Sequence, residues 1–170
     1  MTFEEFAAER LPELLRFAGA LTGDRASAED AVQEVLVRVH ARWGTIGGLD
    51  RPEGYVRRMV VNQFISARRR AWWLTPKGRA EDLRQPTVPD HAAQHAERAA
   101  LLAELAKLPR RQCAVLVLRY YEGLTDPEIA ELLGCRPVTV RAYASRALRT
   151  LRVELGGPPR PAPVLIAKEN

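Results

Sequence analysis

The sequence has few of the features that mark secreted, membrane-spanning or disulfide-stabilised proteins. Its 170 residues include only two cysteines, Cys113 and Cys135, which favours reduced thiols over a disulfide framework. No run of about 18 uninterrupted apolar residues occurs, so no membrane span is predicted. The stretch MTFEEFAAERLPELL is acidic and amphipathic, which is the wrong chemistry for a secretory signal peptide. We therefore expect a cytoplasmic protein.

Sequence motifs of catalysis and metal binding are also lacking. There is no H-E-x-x-H pair, no phosphate-binding glycine loop and no nucleophile elbow. His91 and His95 stand four residues apart, with Cys113 and Cys135 downstream, which leaves a metal-dependent enzyme as one alternative. The histidines fall at the edge of a linker, however, and neither cysteine belongs to a paired motif. We expect no enzymatic activity, no metal and no cofactor.

Positive charge is concentrated in two segments of the chain. Residues 51–79 hold eight Lys/Arg and one Glu, and residues 110–155 hold eight Lys/Arg and five Asp/Glu. Residues 1–50 hold five Arg and nine Asp/Glu, so the first segment follows an acidic one. This alternation predicts two nucleic-acid contacts on one chain. The alternative is that both basic segments form arginine-rich surfaces that contact only solvent.

Hydrophobic spacing predicts an all-α fold, because no strand-like alternation of useful length occurs. We expect two small helical domains, residues 1–73 and 92–155, a flexible linker over residues 74–91 and a disordered, proline-rich tail over residues 156–170. Within the first domain, Gly23 ends one helix, Ser27 caps the next, residues 44–52 form a loop and Pro52 begins a third helix. The candidate core residues include Phe6, Leu11, Leu14, Val32, Val39, Trp43, Val60, Leu118 and Tyr121.

The stretch GLTDPEIAELLGCRPVTVRAYASRALRTLR, residues 123–152, predicts two helices with a sharp turn. Thr125 and Glu128 have the spacing of a capping box. Gly134 stands where the chain must adopt a positive φ, and Pro137 suits the first turn of the second helix. The spacing is that of a helix-turn-helix, although an ordinary helical hairpin could carry the same caps.

The outward face of the second helix favours DNA binding over a plain hairpin. No acidic residue occurs between Arg136 and Arg152. Arginines suit guanine edges and phosphates, and small residues permit close approach to the major groove. This motif is shared by repressors, response regulators and sigma factors. The predicted outward residues are Val138, Thr139, Arg141, Ala142, Ser145, Arg146 and Arg149.

The first half of the chain narrows the choice among these classes of DNA-binding protein. DAVQEVLVRVHARW (residues 30–43), a loop, and RPEGYVRRMVVNQFISARRR (residues 51–70) resemble region 2 of bacterial RNA polymerase sigma factors, and the second half resembles their region 4. The whole resembles an extracytoplasmic-function sigma factor of the actinobacterial type. The resemblance implies binding to the β and β′ subunits of core RNA polymerase, recognition of promoter DNA and, often, control by an anti-sigma factor. A conventional helix-turn-helix regulator that binds DNA without polymerase is the alternative.

The resemblance also implies which residues form each surface. The polymerase-binding face consists of Asp30, Gln33, Glu34 and Arg38. The loop over residues 46–52 and Asn62 would capture an unstacked base of the −10 element, and arginines would hold its phosphates. The residues of this surface are Ile46, Gly48, Arg51, Arg57, Arg58, Asn62, Arg68, Arg69 and Arg70. The −35 element would be read by the outward face of the recognition helix listed above, with Arg119 beside it.

Overall fold

A computed structural model describes the backbone of residues 1–74 and 92–155 and the side chains of residues 1–66 and 96–152. This part of the chain is helical and contains no strand, which confirms the all-α prediction. A π-helical turn over Val117–Tyr121 continues α6. The α-helices are α1 Phe3–Thr22, α2 Arg25–Ala41, α3 Trp43–Ile46, α4 Pro52–Leu74, α5 Ala92–Lys107, α6 Arg110–Leu116, α7 Asp126–Leu133 and α8 Pro137–Leu155.

The ends of α1 are set by local chemistry. The Thr2 hydroxyl accepts a hydrogen bond from the Glu5 N–H at 3.2 Å, and the Glu5 carboxylate accepts one from the Thr2 N–H at 2.8 Å, which is a capping box. At the other end Gly23 adopts a φ of 80° and its N–H donates to the Gly19 carbonyl, as predicted for the helix stop. The predicted core position Leu11 is wrong, because 38% of this residue is exposed.

α2 begins earlier than the sequence indicated. Asp24, not Ser27, is its N-cap, and the Asp24 carboxylate accepts a hydrogen bond from the Ser27 N–H at 2.8 Å. Both residue types cap well, and Asp24 follows directly on the turn at Gly23. Val32, Val35 and Val39 form the buried stripe of α2 against α1 and α4.

The predicted loop over residues 44–52 contains a short helix, α3. Trp43 begins α3 instead of ending α2, and its ring packs on Phe3 and Phe6 with centroid distances of 5.7 and 4.9 Å. Its indole N–H donates to the Met1 carbonyl at 3.2 Å. The aromatic cluster therefore fixes the start of the loop against α1.

The π-helical turn changes which residues of the second half are buried. A π-turn holds an extra residue compared with an α-turn, so it rotates the side chains that follow it. Leu118 is buried, but Tyr120 and Tyr121 are 42% and 46% exposed. The prediction of Tyr121 in the core, which assumed a regular α-helix, is therefore wrong.

The two halves of the chain pack against each other. The Arg110 side chain donates to the Phe64 carbonyl, and its guanidinium lies over the Phe64 ring at 4.9 Å. The buried Cys113 thiol lies 3.5 Å from the Leu21 carbonyl oxygen, and burial raises the pKa of this thiol to about 12. The bounds predicted for the two domains remain a prediction. Of the predicted linker over residues 74–91, Leu74 ends α4, and the rest of the linker and the tail lie outside the described residues.

Gly23 is part of this contact as well as a helix stop. A Cβ added there would lie 2.8 Å from the Ala106 Cβ of α5, which is closer than van der Waals contact allows. The absent side chain thus lets the end of α1 approach α5. With the positive φ, this closeness leaves glycine as the residue that fits.

Candidate nucleic-acid interface

α7 and α8 form the predicted helix-turn-helix. The Glu128 carboxylate accepts hydrogen bonds from the Thr125 hydroxyl at 2.6 Å and the Thr125 N–H at 2.8 Å. These bonds lower the pKa of Glu128. Gly134 ends α7 with a φ of 62°, and Pro137 begins α8, both as predicted.

The two helices meet through small and branched apolar residues. Ile129, Ala130 and Leu133 of α7 are buried. Because Ala130 is small, the helices can cross closely. The facing residues of α8 are Val140, Ala144, Ala147 and Leu151, all buried, with Leu148 half-buried at the edge. The inward seam predicted for α8 is thus found in the structure.

The opposite side of α8 is open to solvent. Val138, Arg141, Ser145, Arg146 and Arg149 are exposed. Thr139 and Ala142 are half-buried between them. This face carries three arginines and no carboxylate of its own helix between residues 137 and 152. It therefore has the charge and the small side chains that a major-groove helix requires.

Arg119 differs from the other residues predicted to read this element. It forms an ion pair with Asp126, the first residue of α7, and only 24% of its side chain is exposed. The second oxygen of the same carboxylate lies 3.9 Å from the Arg141 guanidinium. The sequence reading missed Asp126. As an acidic residue directly after the Thr125 cap, it gave only the signal of a helix-dipole partner.

The predicted polymerase-binding face contains a polar network between α2 and α4. The Arg38 guanidinium donates to the Gln63 side-chain oxygen at 2.8 Å, and the Gln63 amide donates to the Glu34 carboxylate. Gln63 is 7% exposed, so these bonds satisfy a buried amide. Asp30 and Gln33 are exposed on α2. The sequence analysis also did not predict a role for Gln63. The pattern that could have indicated one is the presence of this polar residue within the mostly apolar run VVNQFI.

The predicted −10 residues lie in different environments. Ile46 is 3% exposed and its side chain belongs to the core, so only the backbone of this residue could face a base. Gly48, Arg51, Arg58 and Asn62 are exposed. Asn62 lines an open groove of about 560 Å³ between α4 and Arg111 of α6. The side chains of Arg68, Arg69 and Arg70 lie outside the described residues.

Arg57 is held by carboxylates from two other parts of the chain. Its guanidinium lies 2.5 Å from Glu122, which follows the π-helical turn, and 3.3 Å from Glu13 of α1. Only 11% of the Glu122 side chain is exposed. Burial raises the pKa of Glu122, although Arg57 opposes the shift.

Comparison with known proteins identifies the family. The sequence profile of Sigma-70 region 2 matches residues 6–74, and that of Sigma-70 region 4 matches residues 98–151. An RNA polymerase sigma-E factor of Streptomyces avermitilis is 37% identical over 158 residues, which are 91% of this chain and 86% of that protein. The ECF RNA polymerase sigma factor SigL of Mycobacterium tuberculosis is 35% identical over 154 residues, 87% of each chain. The chain belongs to the extracytoplasmic-function sigma factors.

Solved structures share the fold of this sigma factor. The sigma factor RpoE of Bartonella quintana, solved with the anti-sigma factor NepR, aligns with a TM-score of 0.64 at 22% identity, covering 91% of this chain and 96% of that chain. CnrH, solved with the cytosolic domain of CnrY, aligns with a TM-score of 0.58 at 22% identity, covering 91% and 87% of the two chains. At this identity the likeness concerns the fold alone.

The family assignment agrees with the placement of the helices. Region 2 corresponds to α1–α4, and region 4 to the end of the chain from α5 through most of α8. In the described parts of this sigma factor, no helix is both long enough and apolar enough to cross a bilayer.

Proposed function

We propose that this sigma factor binds core RNA polymerase in the cytoplasm and directs it to promoters, with region 4 reading the −35 element and region 2 holding the −10 element. The observation that carries this proposal is the exposed arginine face of α8, which has no carboxylate of its own helix between residues 137 and 152 and packs on its other side through a buried apolar seam. The chain would contribute binding energy and sequence recognition, and the polymerase would supply the chemistry. We propose no catalytic activity for the sigma factor itself.

At the −35 element, α8 would lie in the major groove. Arg141 stands one turn after the helix start at Pro137, where side chains of a recognition helix reach the base edges. An arginine can donate two hydrogen bonds to one guanine. Arg149 stands two turns later, so we assign it to the phosphates.

At the −10 element, Asn62 and the loop after Ile46 would hold an unstacked base. An amide can donate and accept hydrogen bonds at a base edge, and the glycines let the backbone approach. Arg51 and Arg58 are exposed and can reach phosphates as the structure stands. Arg57 can do so only after its ion pairs with Glu122 and Glu13 open.

The polymerase would bind the outward face of α2. Asp30 and Gln33 are exposed there, and Glu34 and Arg38 are fixed in direction by the buried Gln63. A fixed polar face with acidic members suits a basic partner helix. An anti-sigma factor, as in the complexes of the structural relatives, is a further candidate partner.

Run-off transcription with core polymerase and a random promoter library tests the proposal. We expect enrichment of one −35 and one −10 sequence, and co-purification of the chain with core enzyme. Asn62→Ala should weaken open-complex formation and leave core binding intact, at a cost of roughly 1–3 kcal/mol for one lost base contact. Tight, specific binding of the free chain to duplex DNA, without binding to core enzyme, would support the conventional regulator instead.

A further inference from the structure

Asp126 connects the π-helical turn to both helices of the helix-turn-helix. One oxygen of its carboxylate forms the ion pair with Arg119 from the π-helical turn, and the other lies 3.9 Å from Arg141, one turn after the start of α8. The side chains of Asp126 and Arg119 are 22% and 24% exposed, whereas that of Arg141 is 63% exposed. One carboxylate is therefore shared between a partly buried arginine and a solvent-exposed one.

These two contacts differ in what they can do to DNA binding. A partly buried pair is screened less by solvent than an exposed one, so Arg119 is neutralised and contributes little to phosphate binding. The longer contact to Arg141 leaves that guanidinium free to donate elsewhere. It also biases a flexible side chain towards the α7 side of α8 and lowers the entropy lost when the side chain is fixed on a base.

The start of α7 does not need Asp126 for its cap. Thr125 and Glu128 already form the capping pair through the hydrogen bonds of 2.6 and 2.8 Å. A carboxylate in this position also interacts favourably with the dipole of α7, but no hydrogen bond of the cap depends on it. The Asp126 carboxylate is therefore available to interact with Arg119 and Arg141.

We propose that Asp126 is a positioning residue for −35 recognition, which withholds Arg119 from the DNA phosphates and aims Arg141 at its base. The inference rests on the proposed function of α8. Specificity is the difference between the affinities for preferred and non-preferred −35 sequences. The Asp126 carboxylate repels nearby phosphates on every sequence but weakens the contact of Arg141 with the preferred base less, so it widens that difference. Without it, Arg119 becomes a free cation beside the recognition helix.

The test uses full-length protein with core polymerase and a library of −35 variants at two salt concentrations. Asp126→Asn keeps the size of the side chain and removes its charge. We expect transcription from non-preferred −35 sequences to rise, the ratio of preferred to non-preferred to fall roughly tenfold, and the salt dependence to steepen by about one phosphate contact. In an Arg119→Ala background, Asp126→Asn should leave the salt dependence nearly unchanged.

Glu131→Gln is the matched control, since Glu131 is an exposed carboxylate of the same helix. It removes the same charge and should leave the specificity ratio unchanged. An equal effect of both substitutions, or a uniform loss on all sequences with a lowered melting temperature, would overturn the positioning role. A wild-type holoenzyme with no −35 preference would instead refute the proposed function of α8, and the inference with it.

Discussion

Arg57 and Glu122 form an ion pair that connects region 2 to region 4. The Arg57 Nη1 lies 2.5 Å from a Glu122 carboxylate oxygen, across 65 residues of sequence, and the same guanidinium contacts Glu13 at 3.3 Å. Arg57 is also one of the residues that we assign to −10 phosphates. If that assignment is right, Glu122 and Glu13 occupy the guanidinium that would otherwise contact a phosphate.

Neutralising Glu122 should therefore favour single-stranded DNA. We expect Glu122→Gln to raise the affinity of the free protein for a −10 oligonucleotide by about fivefold, the equivalent of about 1 kcal/mol for one partly exposed ion pair. Fluorescence anisotropy with a labelled strand measures this affinity. Glu131→Gln, which removes an exposed carboxylate from region 4, is the control for net charge. An unchanged affinity in Glu122→Gln would remove Arg57 from the −10 surface.

The same carboxyl group should make folding stability depend on pH. Burial raises the pKa of Glu122 above the ordinary glutamate value of 4.5, so the folded state binds its proton more readily than the unfolded state. The stability that this group contributes is complete below pH 4.5 and is lost as the pH rises through the folded-state pKa. Glu122→Gln cannot titrate there. The free energy of unfolding of wild type minus that of the variant should thus fall with rising pH, and a difference that rises would contradict the burial argument.

Gly47 should tolerate a side chain less well than Gly48. A Cβ on Gly47 would lie 2.9 Å from the Trp43 ring, whereas a Cβ on Gly48 meets nothing closer than the Thr45 carbonyl oxygen at 3.8 Å. Neither glycine has a positive φ, so both alanine variants gain similarly from a stiffer unfolded chain. We expect Gly47→Ala to cost roughly 1–3 kcal/mol by overpacking and Gly48→Ala to be near neutral. Chemical denaturation measures both, and equal values would show that Trp43 moves aside freely.

The sequence predicted correctly several helix ends and turns that depend on residues close to one another in the chain. The Thr125–Glu128 cap, the turn at Gly134 and the start of α8 at Pro137 depend on residues within a few positions of one another. Where two local solutions competed, as between Asp24 and Ser27, the prediction chose wrongly. The π-helical turn could not be predicted from the sequence, because its residues VLRYY continue an ordinary helical pattern.

Contacts between distant residues could not be predicted. The sequence showed Arg57 as a member of a basic segment and gave no sign that Glu122 and Glu13 hold it. It likewise placed Ile46 in an exposed loop, whereas α3 turns this side chain into the core. Charge and composition define which surfaces are basic, and only the packing of the helices decides which of those charges are already paired.

The recognition helix offers a last comparison, between Arg141 and Arg149. Arg141 lies near the start of α8, beside Asp126, and Arg149 lies two turns further along the same exposed face. We expect Arg141→Ala to relax the preference at particular −35 positions and to cost roughly 1–3 kcal/mol on the preferred sequence. Arg149→Ala should weaken all sequences about equally and lower the salt dependence by about one phosphate contact. Transcription from a −35 library at two salt concentrations separates these results. If both variants show the same uniform loss, Arg141 binds only phosphate, and −35 specificity must come from Thr139, Ser145 or Arg146 or from the shape of the DNA.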